Sequence, residues 1–167
     1  MNIVKSEDPV EYGTKDTTAA DNDVIAKAIG ILHTRLVKYS VTLDDPVDVQ
    51  KYLVLRLAEK KHEVFGVLWF NSRSQLIADE ELFRGTISQT SVYPREVLRA
   101  ALAANARCCV IYHNHPSGSP APSEQDRKLT RQVKEALDMV EVQLRDHIVV
   151  GGGIPTHSIK TVLCRIK

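Results

Sequence analysis

The segment Glu63-Val64-Phe65-Gly66-Val67-Leu68-Trp69-Phe70 is apolar on both of its alternating faces. A strand with one wet face alternates apolar and polar residues, so a run like this one needs cover on both sides. The pattern argues against a sheet open to water and calls for helices above and below a strand layer. With 167 residues, the chain can bury one such core and is short for two.

The flanking segments supply that cover. From Asp21 to about Tyr39, apolar residues recur at helical spacing (Val24, Ile25, Ala28, Ile29, Leu32, Leu36). A second helix starts at Asp45-Pro46, a capping residue with proline at the first helical position, and carries Val49, Tyr52, Leu53 and Leu57. After the strand at 63–70 and a polar turn, residues 75–83 read as a second strand forming a hairpin with it. A helix from Pro94 turns Val97, Leu98, Ala101 and Leu102 inward, and residues 108–115 form the next strand. A Pro-rich loop leads to a helix over 123–140 with Leu129, Val133 and Leu137 on one stripe. Residues 146–150 and 156–163 predict two short strands around Gly151-Gly152-Gly153. The expected fold class is α/β: one layered domain, a central mixed β-sheet flanked by helices. Residues 1–20 read as a flexible N-terminal arm, 21–44 as an N-terminal helix and linker, and 45–167 as the α/β domain.

Charge and cysteine content narrow the function classes. Lys and Arg number 22 against 21 acidic residues, so the chain has no electrostatic footprint for nucleic acid or an anionic membrane. No stretch approaches the roughly 18 apolar residues of a membrane span, and the polar N-terminus has no secretory h-region. The three cysteines suggest neither a disulfide framework nor a zinc ribbon, which fits a cytoplasmic protein. No pattern specifies an oligomeric state.

The chemistry concentrates in His113-Asn114-His115-Pro116-Ser117-Gly118 and the residues after it. His113 and His115 lie two apart at a strand end, so both rings leave the same face with Cα atoms roughly 7 Å apart. Asp126 follows near the start of the next helix, across a loop stiffened by Pro116, Pro120 and Pro122. Two nitrogens and one oxygen leave a tetrahedral zinc with one open position, the arrangement of a catalytic rather than a structural site. Ser123 and Asp126 also form S-x-x-D, a capping-box-like helix start that would account for both without a metal. A hydrolase needs a proton acceptor beside the metal. Glu63, heading the doubly apolar strand, is the candidate, and Glu80 and Glu81 compete for the role. Asp146 is a candidate partner for the second nitrogen of a ligating histidine. His147 and His157 flank the glycine loop and read as surface or supporting residues. The loop around Gly85, Thr86 and Ser88, with Gly151 to Gly153, is a candidate border for a substrate groove.

The segment HNHPSG-x3-PS-x2-D, preceded by PREVLRAALAANA and followed by DHIVVGGG, resembles the RadC-type branch of the JAB/MPN metalloprotease superfamily. The similarity runs from about Asp45 to Lys160 and is closest over 93–126. It implies the JAB/MPN, cytidine-deaminase-like architecture and the JAMM type of zinc site. It also implies one zinc per chain on His113, His115 and Asp126, with Glu63 as general base and Ser123 stabilising the tetrahedral intermediate. The implied reaction is hydrolysis of a peptide or isopeptide bond in a peptide or protein substrate. RadC-type proteins also carry a historical association with DNA repair, but the helical DNA-binding region of the longer members has no counterpart in the 44 residues ahead of the match. Three alternatives stay open: a DNA-associated RadC-like protein, a metal-dependent nuclease, and a non-catalytic interaction module. A zinc deaminase would need H-x-E with P-C-x-x-C, and a zincin would need histidine where Gly66 stands; neither pattern is present.

Overall fold

The computed structural model describes residues 19–38, 46–57, 60–85, 91–151 and 156–159. Within them the order is α1 (Ala19–Lys38), α2 (Pro46–Leu57), β1 (Val64–Phe70), β2 (Leu76–Arg84), α3 (Pro94–Ala103), β3 (Cys108–Asn114), α4 (Glu124–Asp138), β4 (Gln143–Val150) and β5 (Thr156–Ser158). The strands form one mixed sheet in the order β2-β1-β3-β4-β5. β1 runs antiparallel to both β2 and β3, β3 and β4 are parallel, and β5 returns antiparallel to β4. The fold is therefore the single α/β layered domain that the apolar pattern calls for. Ala19 and Ala20 already belong to α1, while the rest of the N-terminal arm, Asp45, Thr86, Ser88, Gly152, Gly153 and residues 160–167 lie outside the described residues. No described helix is long and apolar enough to cross a membrane.

Every residue of β1 is buried, as is every residue of β3. The β1–β3 register sorts their side chains cleanly. Gly66 and Tyr112, Leu68 and Val110, and Phe70 and Cys108 face α2, where Val49, Tyr52, Leu53 and Leu57 complete one core. Phe65, Val67, Trp69, Cys109 and Ile111 face α3 and α4, where Val97, Ala101, Val133 and Leu137 complete the other. Two details depart from the helical periodicity. Val24 and Leu102 are exposed, because α1 packs through Ile29 and Leu32 and α3 through Val97 and Ala101.

The α2 side also buries a polar knot. Asp79 on β2 pairs across from Leu68 and so faces α2, with its side chain only 5% exposed. It accepts hydrogen bonds from the hydroxyls of Tyr52 and Tyr112 (2.7 Å for the latter), and Arg56 Nε lies 3.0 Å away. A buried carboxylate is tolerated only when its oxygens are met by donors and a countercharge, and this one has both. Tyr112 crosses directly over Gly66, where a Cβ would overlap the phenol ring. The glycine inside an otherwise bulky strand is the space through which Tyr112 reaches Asp79.

Burial first, and the Asp79 carboxylate second, push both phenols well above the ordinary tyrosine value. A pKa raised on folding contributes stability that is complete below the unfolded value of about 10 and is lost as pH rises further. Two of the five tyrosines should therefore ionise only together with alkaline unfolding. Following phenolate absorbance and far-UV circular dichroism through one base titration checks this. Separately, Gly66→Ala should cost about 1–3 kcal/mol in urea denaturation, the usual range for overpacking a core.

Candidate metal centre

β3 enters α4 and α4 leads back to β4 beside β3, a parallel crossover unit. The carboxyl end of β3 and the N-terminus of α4 therefore meet on one rim of the sheet, the place where open α/β sheets bind ligands. β1 runs antiparallel to β3, so its N-terminal end arrives at the same rim. Phe65 pairs with His113, which sets Glu63, two residues earlier, level with His115, two residues later.

His113 and His115 leave the α4 face of β3 with their Nε2 atoms 2.9 Å apart. Asp126 sits in the first turn of α4 and brings Oδ1 to 3.3 Å from His113 Nε2 and Oδ2 to 3.5 Å from His115 Nε2. A tetrahedral zinc with bonds of about 2.0–2.1 Å spaces neighbouring ligands by about 3.3 Å, so the three donors need only minor opening to hold one. This is the group of metal-binding donors found among the described residues, all within 4.8 Å of one another. His115 is oriented from behind: its Nδ1 donates to the carbonyl of Ser119 at 2.8 Å, which leaves the lone pair on Nε2. The Asp126 hydrogen bond raises the pKa of His115 against the opposing effect of burial. Burial works against the charge of Asp126, yet the neighbouring His113 and His115 rings outweigh it and hold the carboxyl well below its usual range. His113, His115 and Asp126 are thus a candidate metal-binding triad.

These groups line a cleft of about 880 Å³ together with Glu63, Phe65, Val92, Ser123, Lys128 and Leu129. Glu63 is close enough to His115 to favour its protonated form. The competing carboxylates are elsewhere. Glu80 accepts from the Trp69 indole at 3.2 Å, and Glu81 pairs with Lys60 at 2.9 Å and Arg56 at 3.5 Å on the α2 face. Neither lines the cleft.

The sequence matches the RadC-like JAB domain over residues 43–162. The chain belongs to that family. It is 54% identical over 110 residues to a UPF0758 protein of Dechloromonas aromatica (strain RCB), covering 66% of this chain and 49% of the relative. A UPF0758 protein of Methylibium petroleiphilum is 51% identical over 122 residues, 73% of this chain and 54% of its own. One from Vibrio cholerae serotype O1 is 44% identical over 133 residues, 80% of this chain and 84% of its own. The chain spans about half the length of the first two relatives.

In this RadC-like domain, Ser123 is the helix cap that the S-x-x-D spacing predicts. Its Oγ accepts from Asp126 N–H at 3.1 Å, and Asp126 Oδ2 accepts from Ser123 N–H at 2.7 Å, a complete capping box. The hydroxyl proton goes to Asp126 Oδ2 at 2.6 Å, so here it serves the carboxylate rather than pointing into the cleft. The cap thereby sets the angle at which Asp126 meets the histidines.

Three further features support the centre. Asn114, between the two histidines, points to the opposite face and is buried. Its Oδ1 accepts from Val64 N–H at 2.8 Å, and its amide donates to the carbonyls of His62 and Lys60. That clamp holds the backbone on both sides of Glu63. Gly151 ends β4 under the loop, and a Cβ there would strike the backbone of Gly118 and Pro120. Its absence lets the segment carrying Ser119 close against the sheet, so Gly151 supports the histidine loop rather than bordering a groove. Third, His147 rather than Asp146 lies at 2.8 Å from His113 Nδ1, while Asp146 accepts from its neighbour's N–H and from Ser158 Oγ. The reason is a register shift: Cys109 pairs with Leu144 and Val110 with Asp146, so Arg145 is an extra residue in β4. Such a bulge reverses which side chains face inward. Simple alternation from Leu144 would aim Asp146 at α4; the bulge aims His147 there. His157 is exposed on β5.

Asn114 had no signal beyond its place in the motif, since an asparagine between two ligands reads as a spacer. Replacing it by Leu should cost about 1–3 kcal/mol, because the Val64 N–H and two carbonyls lose their partner in a buried place. Urea denaturation of the variant beside wild type measures that loss.

Proposed function

We propose that this chain is a zinc-dependent hydrolase of the JAMM type that cleaves a peptide or isopeptide bond with an activated water. The observation carrying this reading is the convergence of His113, His115 and Asp126 in the same cleft as Glu63. Membership of the RadC-like JAB domain family agrees with metal-dependent hydrolysis. A zinc ion in such a site lowers the pKa of a water from 15.7 to about 7 and polarises a carbonyl.

The chain's own residues do the remaining work. Glu63 takes the proton of the attacking water and later returns one to the leaving amine. Ser123, with its hydroxyl turned from Asp126 towards the scissile carbonyl, supplies a hydrogen bond to the charge that develops on oxygen. Its cap leaves the oxygen in place while the proton reorients. Phe65, Val92 and Leu129 form the apolar part of the wall and favour a substrate side chain or aliphatic tail beside the bond. Among the described residues lining the cleft, Lys128 is the one lysine or arginine. A groove built for a phosphodiester backbone would carry more positive charge, so the peptide reading is preferred to a nuclease.

Elemental analysis of buffer-exchanged protein should find about one zinc per chain, as expected for a three-ligand catalytic site. His113→Ala should lose it. Glu63→Gln should keep the metal while turnover of peptide and isopeptide substrates falls on the order of 10²–10⁴-fold, the usual contribution of a general base. Wild-type protein that takes up no zinc on add-back would overturn the proposal.

A further inference from the structure

His147 is fully buried on β4, and neither the capping box nor the metal ligands account for it. Its two ring nitrogens both have close partners: Nε2 lies 2.8 Å from His113 Nδ1, and Nδ1 lies 2.6 Å from Thr130 Oγ1. Thr130 is itself buried on the inner face of α4, and its hydroxyl lies 2.6 Å from the backbone carbonyl of Asp126.

The direction of every bond in this series follows from its far end. A backbone carbonyl can only accept, so the Thr130 hydroxyl donates to Asp126. With its one proton used, Thr130 Oγ1 must accept from His147, which places the His147 proton on Nδ1. A neutral imidazole with its proton on Nδ1 is an acceptor at Nε2, so it must receive the Nδ1 proton of His113. That leaves the lone pair of His113 on Nε2, the atom facing His115 and Asp126. The opposite order would spend the Thr130 proton on His147 and leave two oxygens, Thr130 Oγ1 and the Asp126 carbonyl, 2.6 Å apart with no hydrogen between them.

We propose that Thr130 and His147 are positioning residues: they form a relay from the Asp126 carbonyl to His113 that fixes the tautomer and ring angle of His113. The inference rests on the metal reading only for its consequence, since the tautomer is a property of the chain itself. The relay starts on the peptide unit of one ligand and ends on the ring of another, so it ties the two to each other. If the first turn of α4 shifts, Thr130 shifts with it, and His113 follows through His147. His115 is set separately by Ser119, so the two histidines are oriented by different elements.

Long-range ¹H–¹⁵N correlation spectra of the full chain, stripped of metal and held at mildly alkaline pH, report which ring nitrogen of His113 and His147 carries the proton. Both should be protonated on Nδ1. Zinc affinity, measured by competition with a chromophoric chelator, should fall about 10–100-fold in Thr130→Val, the usual cost of losing such a partner. Thr130→Ser keeps the hydroxyl and should restore wild-type affinity within a few-fold, at similar melting temperature. His113 protonated on Nε2 in the metal-free wild type would overturn the relay, and this result does not depend on any variant folding. Unchanged zinc affinity in a folded Thr130→Val would also overturn it. The expected tautomers in a chain that takes up no zinc would instead keep the relay and sink the metalloenzyme reading.

Discussion

The antiparallel pairing of β1 with β3 is the contact on which the rest of the site depends. It places the start of one strand at the end of the other, and so brings Glu63 beside a histidine some fifty positions away in sequence. Neither strand has a wet face, and hydrophobic burial on both sides gives the pair little freedom to slip. A shift by one residue would turn Phe65, Val67 and Trp69 towards α2 and carry Glu63 with them, away from His113, His115 and Asp126. Tyr112 over Gly66 adds a steric lock one pair in from the rim, and Asn114 adds a hydrogen-bonded lock at the rim end.

Each member of the His113, His115 and Asp126 triad is held by backbone, a helix cap or a buried side chain. His115 donates to a loop carbonyl, Asp126 is gripped by the cap of its own helix, and His113 rests against a buried imidazole. Lone pairs and carboxylate oxygens brought this close together repel one another unless a cation stands between them. The arrangement is therefore costly on its own, and the two apolar cores supply the stability that offsets it. Their separation by a five-stranded sheet also keeps the Asp79 knot on one side from interfering with the charges on the other.

A single inserted residue decides what stands behind His113. Without Arg145 out of register, β4 would present Asp146 to the α4 face, and the histidine would be backed by a carboxylate, as many metal ligands are. With it, a neutral and fully buried imidazole takes that place. A carboxylate would add negative charge beside the centre; an imidazole transmits orientation without adding any.

Much of this was legible in the order of residues. The doubly apolar run at 63–70 required a sheet with helices on both faces, because no other arrangement dries both sides of a strand. The two-residue spacing of His113 and His115 put them on one face, and the Ser123–Asp126 spacing set a cap whose carboxylate turns back towards the strand. These are local properties, governed by the period of a strand or the first turn of a helix. The choice of Glu63 over Glu80 and Glu81 was not local, since it rests on which edge of which strand reaches the rim and which carboxylates find partners elsewhere. Nor was the exchange of Asp146 for His147, which turns on a bulge with no Gly or Pro to announce it. The work of Asn114, Gly66 and Gly151 was equally hidden, because each is explained by a partner distant in the chain. Local pattern specifies what each element is; only the packed sheet specifies which side chains share the space between elements.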